Sequence, residues 1–177
     1  MKKQIAFLCT ANYYRSRFAE HFFNWLAPQH RLPWQADSRG LQVGQWGNIG
    51  PISRDTVLRL KSYGIIVPEP HREPLPLTLD DLHAFDHVVA VKEAEHRPQM
   101  KLQFPAWCDR VEYWHVDDLD CATPEDALPL LEIQVRALVE RLAKASHHSA
   151  RTTSAASSQG TFSNAPASML ATANRPG

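Results

Sequence analysis

Cys9 and Arg15 bracket the run Cys9-Thr10-Ala11-Asn12-Tyr13-Tyr14-Arg15-Ser16, and no other pair in the chain is as well placed to do chemistry. Before them stands the apolar stretch Ile5 to Leu8, of strand length; after them Phe18, Phe22, Trp25 and Leu26 recur at helical spacing. A loop that feeds a helix N-terminus collects backbone N–H groups with no intrahelical partner, and the helix dipole adds partial positive charge at the same point. Such a place suits a phosphate. A thiol at its start would be held as thiolate by the amides and by Arg15, and the planar fork of Arg15 matches two phosphoryl oxygens. The other reading of Cys9 is a small buried hydrophobe at a strand end.

The spacing C-x5-R-S, with Asn12 inside it, resembles the low-molecular-weight protein tyrosine phosphatases, whose loop reads C-x-G-N-x-C-R-S-P. The resemblance implies Cys9 as nucleophile, Arg15 as the phosphate grip and Ser16 as the hydroxyl that stabilises the thiolate. Asn12 falls where a left-handed backbone is needed, which Asn tolerates better than most residues. Thr10, Ala11, Asn12, Tyr13, Tyr14 and Ser16 then line the bound phosphate. Ala11, Tyr14 and Arg17 stand where the family has Gly, Cys and Pro. The resemblance also makes Ser38 the partner of the loop asparagine, His71 the support of that serine, Trp46 an aromatic wall of the cleft and Asp118 the general acid, with Asp117 behind it. Lys92 replaces a family acid, and Leu119 a family proline.

The implied reaction is hydrolysis of phosphate monoesters, protein phosphotyrosine in the first place, through a phosphocysteine, with no metal or cofactor. Its partners are a phosphorylated protein or a small aryl phosphate. Two alternatives share the pattern. One is a non-catalytic phosphate-binding relative, motivated by the departures just named. The other is a thiol-dependent arsenate reductase, which would need further cysteines near the third strand, where His87 to Pro98 has none.

The composition sets outer limits. With 177 residues the chain holds one ordinary domain and a tail. Lys plus Arg and Asp plus Glu both number 19, so no overall charge draws it to nucleic acid or to an anionic membrane. The three cysteines lack disulfide or metal spacing and fit a reducing cytoplasm. No stretch approaches the roughly 20 apolar residues of a membrane span.

The elements that must position the site follow in order. Strands are expected at Ile5 onward, Leu32 to Gly40, Phe85 to Val91 and Arg110 to Val116. Helices are expected from Ser16 to Ala27, from the cap Ser53 to Tyr63, from the cap Thr78, briefly after Glu93, and from Pro124 along the face Leu128, Leu131, Val135, Leu138, Val139 and Leu142. Pro129 either kinks that last helix or delays its start. Strands alternating with helices imply an α/β protein: a three-layer α/β/α domain over residues 1–146 around a four-stranded parallel sheet. Residues 147–177, rich in Ser, Ala and Thr without an apolar period, are expected to be a disordered tail.

Overall fold

A computed structural model describes residues 2–45, 47–118 and 123–157 of the protein. Four strands, β1 (Lys3–Cys9), β2 (Trp34–Gly40), β3 (His87–Ala90) and β4 (Glu112–Tyr113), form one sheet in the order β2-β1-β3-β4. All three pairings are parallel. The α/β expectation therefore holds, with its four-stranded parallel sheet.

β1 shows why both faces are covered. Side chains alternate across a strand: Ile5, Phe7 and Cys9 join the core under α1 (Arg15–Gln29) and α5 (Pro124–Ser157), while Ala6 and Leu8 join a second core with Leu82, Val88 and Met100. An apolar run without alternation is what a strand buried on two sides requires. The remaining helices, α2 (Arg54–Ser62), α3 (Leu79–Ala84) and α4 (Glu93–Gln103), complete the layers. Ser53 caps α2 by accepting from the Asp55 amide, and Thr78 and Asp81 form a reciprocal capping box on α3.

Three expectations need adjustment. β4 has only two regular residues, because a 3₁₀ turn over Pro105–Arg110 delivers the chain late to the sheet edge; Trp114 and Val116 still donate to Ala90 and Val91 carbonyls. α4 is a full helix of 11 residues rather than a turn or two. α5 runs on to Ser157, past the His147 boundary expected for the tail. Extending a formed helix avoids the nucleation cost of starting a new one.

β1 lies at the point where the connections leave in opposite directions, to β2 on one side and to β3 on the other. In parallel sheets the crevice beyond the strand ends at such a point is where ligands bind. The loop after Cys9 occupies it. β2 ends against that loop so closely that a Cβ on Gly40 would lie 2.5 Å from Val43 Cγ2 and 2.9 Å from the Thr10 carbonyl. Only glycine lets the strand end and the loop approach this far.

Candidate active site

The loop from Thr10 to Tyr14 turns on Asn12, whose φ is 52°. The strain of this left-handed residue is offset by four hydrogen bonds. Asn12 Nδ2 donates to Ser38 Oγ at 2.8 Å and to Ser16 Oγ at 3.1 Å, and its Oδ1 accepts from the Leu75 amide at 2.8 Å and from Arg72 at 3.3 Å. Ser38 Oγ donates in turn to Glu20 Oε2 at 2.5 Å. β2 contributes Ser38, α1 contributes Glu20, and the proline-stiffened segment before α3 contributes Arg72.

His71 does not take the place expected for it. Its Nδ1 is 3.1 Å from the Pro68 carbonyl and its Nε2 is 2.9 Å from Glu69 Oε1. The neighbouring Arg72 supports Ser38 instead, at 3.2 Å, and also reaches Glu20 at 3.0 Å. A histidine offers one donor in this geometry, whereas the guanidinium spans Asn12, Ser38 and Glu20 at once. Nothing short of the folded loop distinguishes His71 from Arg72, because adjacent residues can exchange inside or outside placement with a small change of turn.

Cys9 is buried at the end of β1, with its sulfur 2.9 Å from Ser16 Oγ. Arg15, 1% exposed, opens α1. One terminal nitrogen donates to the Val116 carbonyl at 3.0 Å; the other reaches Asp118 Oδ2 at 2.5 Å and both oxygens of Glu95 at 3.0 and 2.9 Å. Burial alone would lower the pKa of Arg15, but the charges of Cys9, Asp118 and Glu95 outweigh it and the guanidinium is held more firmly protonated than usual. Asp118, at the carboxyl edge beyond β4, thus meets the Cys9 loop through Arg15. Its neighbour Asp117 turns to the Lys92 ammonium, so the substituted lysine has its own partner.

Glu95 is the site residue that sequence reasoning missed. It accepts a short hydrogen bond from Thr10 Oγ1, pairs with Arg15, and lies 3.2 Å from Nε2 of His96, a fully buried ring. Burial would raise its pKa, yet bonding to His96 and the charge of Arg15 bring it down to about 2. His96 Nδ1 accepts from the Lys92 amide at 3.1 Å, which leaves the proton on Nε2 to face Glu95 and Thr10. The available signal was positional. An acid in the first turn of a helix that follows a central strand must stand at the sheet's ligand-binding edge.

The other expected residues distribute around this centre. Tyr13 donates to the Ile49 carbonyl at 2.9 Å. Tyr14 is buried, its hydroxyl has no hydrogen-bond partner, and burial reinforced by Asp118 drives its pKa up. Ala11 borders a cleft of about 310 Å³ that extends to Val43, Gly44 and Glu73. Trp46 lies outside the described residues. Among the described residues no group of His, Cys, Asp or Glu could hold a metal ion, and no helix is long and apolar enough to cross a membrane.

A family model described as low molecular weight phosphotyrosine protein phosphatase matches residues 4–149. The chain belongs to that family. Cysteine-dependent phosphatase chemistry is the activity of this family, and the fold agrees. Among solved structures, a low molecular weight protein tyrosine phosphatase from T. tengcongensis is 24% identical, with a TM-score of 0.65, covering 81% of this chain and 99% of its own. YfkJ from Bacillus subtilis is 22% identical, with a TM-score of 0.70, covering 82% and 97%. The YwlE arginine phosphatase from Geobacillus stearothermophilus is 21% identical, with a TM-score of 0.61, covering 83% and 94%. A search of curated protein sequences returned no match.

Proposed function

We propose that this phosphatase hydrolyses protein phosphotyrosine, with Cys9 as nucleophile, Arg15 as phosphate grip and Asp118 as general acid and base. In the first step the Cys9 sulfur attacks phosphorus, the bond from phosphorus to the phenolic oxygen breaks, and Asp118 delivers its proton to that oxygen. Ser16, in hydrogen-bond contact with the sulfur, steadies the thiolate as it leaves again in the second step. There Asp118 takes a proton from water as it attacks the phosphocysteine, the S–P bond breaks, and inorganic phosphate departs. Loop amides and Arg15 offset the charge on the transferring group.

The observation that carries this reading is the single guanidinium of Arg15, which ties the Cys9 loop to Asp118 at 2.5 Å. Nucleophile, grip and proton donor thereby share one end of the sheet. Rapid quenching of a phosphotyrosine peptide reaction, with detection of phosphate on Cys9 by mass spectrometry, tests it. Phosphate on another residue, or none with turnover intact, would reject the assignment.

A second reading is favoured by Glu95. With Asp118 it gives the mouth of the site two carboxylates, an acidic rim able to receive the guanidinium released from a phosphorylated arginine, the chemistry named for the neighbour from G. stearothermophilus. Comparison of kcat/KM for phosphotyrosine and phosphoarginine peptides of one sequence separates the two substrate classes. The free thiols of Cys9 and Cys108 support a reducing, cytoplasmic setting.

A further inference from the structure

Behind the catalytic loop, on the far side of the Asn12 network, a pocket of about 180 Å³ lies between α1 and the segment that precedes Arg72. Arg17, Glu20, His21 and Arg72 supply its polar wall, and Val67, Pro68 and Pro70 its stiff apolar one. Arg17 is 1% exposed, one terminal nitrogen donates to the Arg72 carbonyl at 2.8 Å, and its Nε has no hydrogen-bond partner. His21 Nε2, from the next turn of α1, is likewise buried and unpartnered. Two residues that line one small cavity thus each carry a buried nitrogen without a hydrogen-bond partner.

The charge balance has the same sense. The Glu20 carboxylate, 3.7 Å from Arg17 Nε, already takes Ser38 Oγ at 2.5 Å and Arg72 at 3.0 Å. One carboxylate therefore serves two guanidinium groups, while Asp37, which also meets Arg72 at 3.3 Å, is held by Arg39 at 2.7 Å. Burial and the charge of Arg72 push the pKa of Arg17 down, whereas Arg15, Arg39 and Arg59, each matched by carboxylates, are pushed up. A buried guanidinium is retained where its charge is matched and its donors are used. Here the protein supplies less than a full match.

We propose that this pocket is a second anion site, separate from the catalytic loop, which takes a small oxyanion on the guanidinium of Arg17 and the imidazole of His21. Glu20 limits the site to a small anion, since its own carboxylate stands on the wall and a larger charge would meet it. Inorganic phosphate, the product of the reaction, has the required size and acceptors. Arg72 belongs both to this wall and to the hydrogen bonds that fix Asn12 and Ser38, so an anion here adjoins the support of the catalytic loop.

The test is a titration of the wild-type protein with inorganic phosphate and, separately, acetate, followed through the Nε–Hε signals of its arginines by NMR. Sodium chloride at matched ionic strength is the control. The Arg17 signal is expected to shift saturably with phosphate at a midpoint different from that of Arg15, and a parallel response to acetate would extend the site to planar oxyanions. His21→Phe, which fills the cavity from a partly exposed position, should abolish the Arg17 shift and leave the Arg15 shift in place. Arg17→Gln should likewise remove one of two phosphate equivalents counted by calorimetry. The proposal is overturned if the Arg17 signal stays fixed while Arg15 saturates, or if chloride moves it equally. It is also overturned if the Arg17 shift shares the Arg15 midpoint and survives His21→Phe, since it would then report only the catalytic loop.

Discussion

The catalytic loop is held from two sides that are built differently. On the β2 side Asn12, Ser38, Glu20 and Arg72 form a closed set of hydrogen bonds in which the donors of one residue meet the acceptors of the next, and Asn12 and Ser38 are 0% exposed. On the β3 and β4 side Arg15 meets two carboxylates, Glu95 and Asp118, whose side chains are 27% and 35% exposed. The first arrangement fixes a backbone shape that costs strain at Asn12. The second gathers charge at the place where charge will move, and solvent reaches it. Substitutions on the two sides should therefore fail differently: loss of fold stability on one, loss of chemical rate on the other.

The largest effect is expected at the centre they share. Cys9→Ser should abolish turnover and retain binding of phosphate or vanadate, because the loop amides and Arg15 survive the change. Activity close to wild type in this variant would remove Cys9 from the mechanism.

Next comes the charged side. Asp118→Asn should cost roughly 10²–10⁴-fold in single-turnover phosphorylation when tyrosine is the leaving group, and much less with a highly activated aryl phosphate that needs little protonation. Single-turnover rates are required because Asp118, as proposed, would also serve the second step. Asp117→Asn is the control, since Asp117 faces Lys92 rather than Arg15. Equal losses with both leaving groups, or a larger loss from Asp117, would move the acid to another residue.

The β2 side should answer in stability. Ser38→Ala removes one of the two acceptors of Asn12 Nδ2 and one of the donors to Glu20, and should destabilise by roughly 1–3 kcal/mol in urea unfolding. Gly40→Ala forces a methyl group to within 2.9 Å of the Thr10 carbonyl, an overpacking cost of about 1–3 kcal/mol. In both variants kcat should change far less than in Asp118→Asn. A Ser38→Ala protein of wild-type stability but with kcat reduced as far as in Asp118→Asn would erase the distinction between the sides.

That distinction also explains what could be read from the chain. The loop from Cys9 to Ser16, its strand and its helix were legible because the function depends on backbone geometry, and geometry of that kind leaves a local spacing. Asn12 is the clearest instance, for its side-chain amide and tolerance of positive φ are both properties of the residue type. Ser38 was legible through the family resemblance, and the alternation of β2 puts it on the buried face with Ala36 and Gly40. Arg72 and Glu95 were not. Their roles depend on which of several neighbouring polar side chains turns inward, and long flexible side chains decide that through tertiary partners such as Glu20 or His96. β4 was overestimated for a related reason, since Arg110 to Val116 has strand composition but the preceding 3₁₀ turn limits how much of it can pair.

The smallest effect, and the one that separates the sides by pH, concerns Glu95. Its folded-state pKa is near 2 against an ordinary value of 4.5, so its carboxylate favours the folded protein. The sign follows from linkage: a depressed carboxyl pKa contributes stability in full above about pH 4.5, and that contribution is lost as pH falls toward 2. Glu112, bonded to His87, Trp114 and Arg141 and also brought down to about 2, loses its contribution in the same window. Stability against pH should therefore fall less steeply between these limits in Glu95→Gln, and also in Glu112→Gln, than in the wild type. Phosphate inhibition then tells the two apart. Glu95 occupies the Arg15 nitrogen that an incoming phosphate needs, so Glu95→Gln should bind inorganic phosphate more tightly at neutral pH, while Glu112→Gln, whose carboxylate makes no contact with Arg15 among the bonds described, should leave that inhibition constant unchanged. An acid limb identical to wild type in Glu95→Gln, with unaltered phosphate inhibition, would mean that Arg15 and Glu95 do not pair in solution, and that only Asp118 faces Arg15 on the open side.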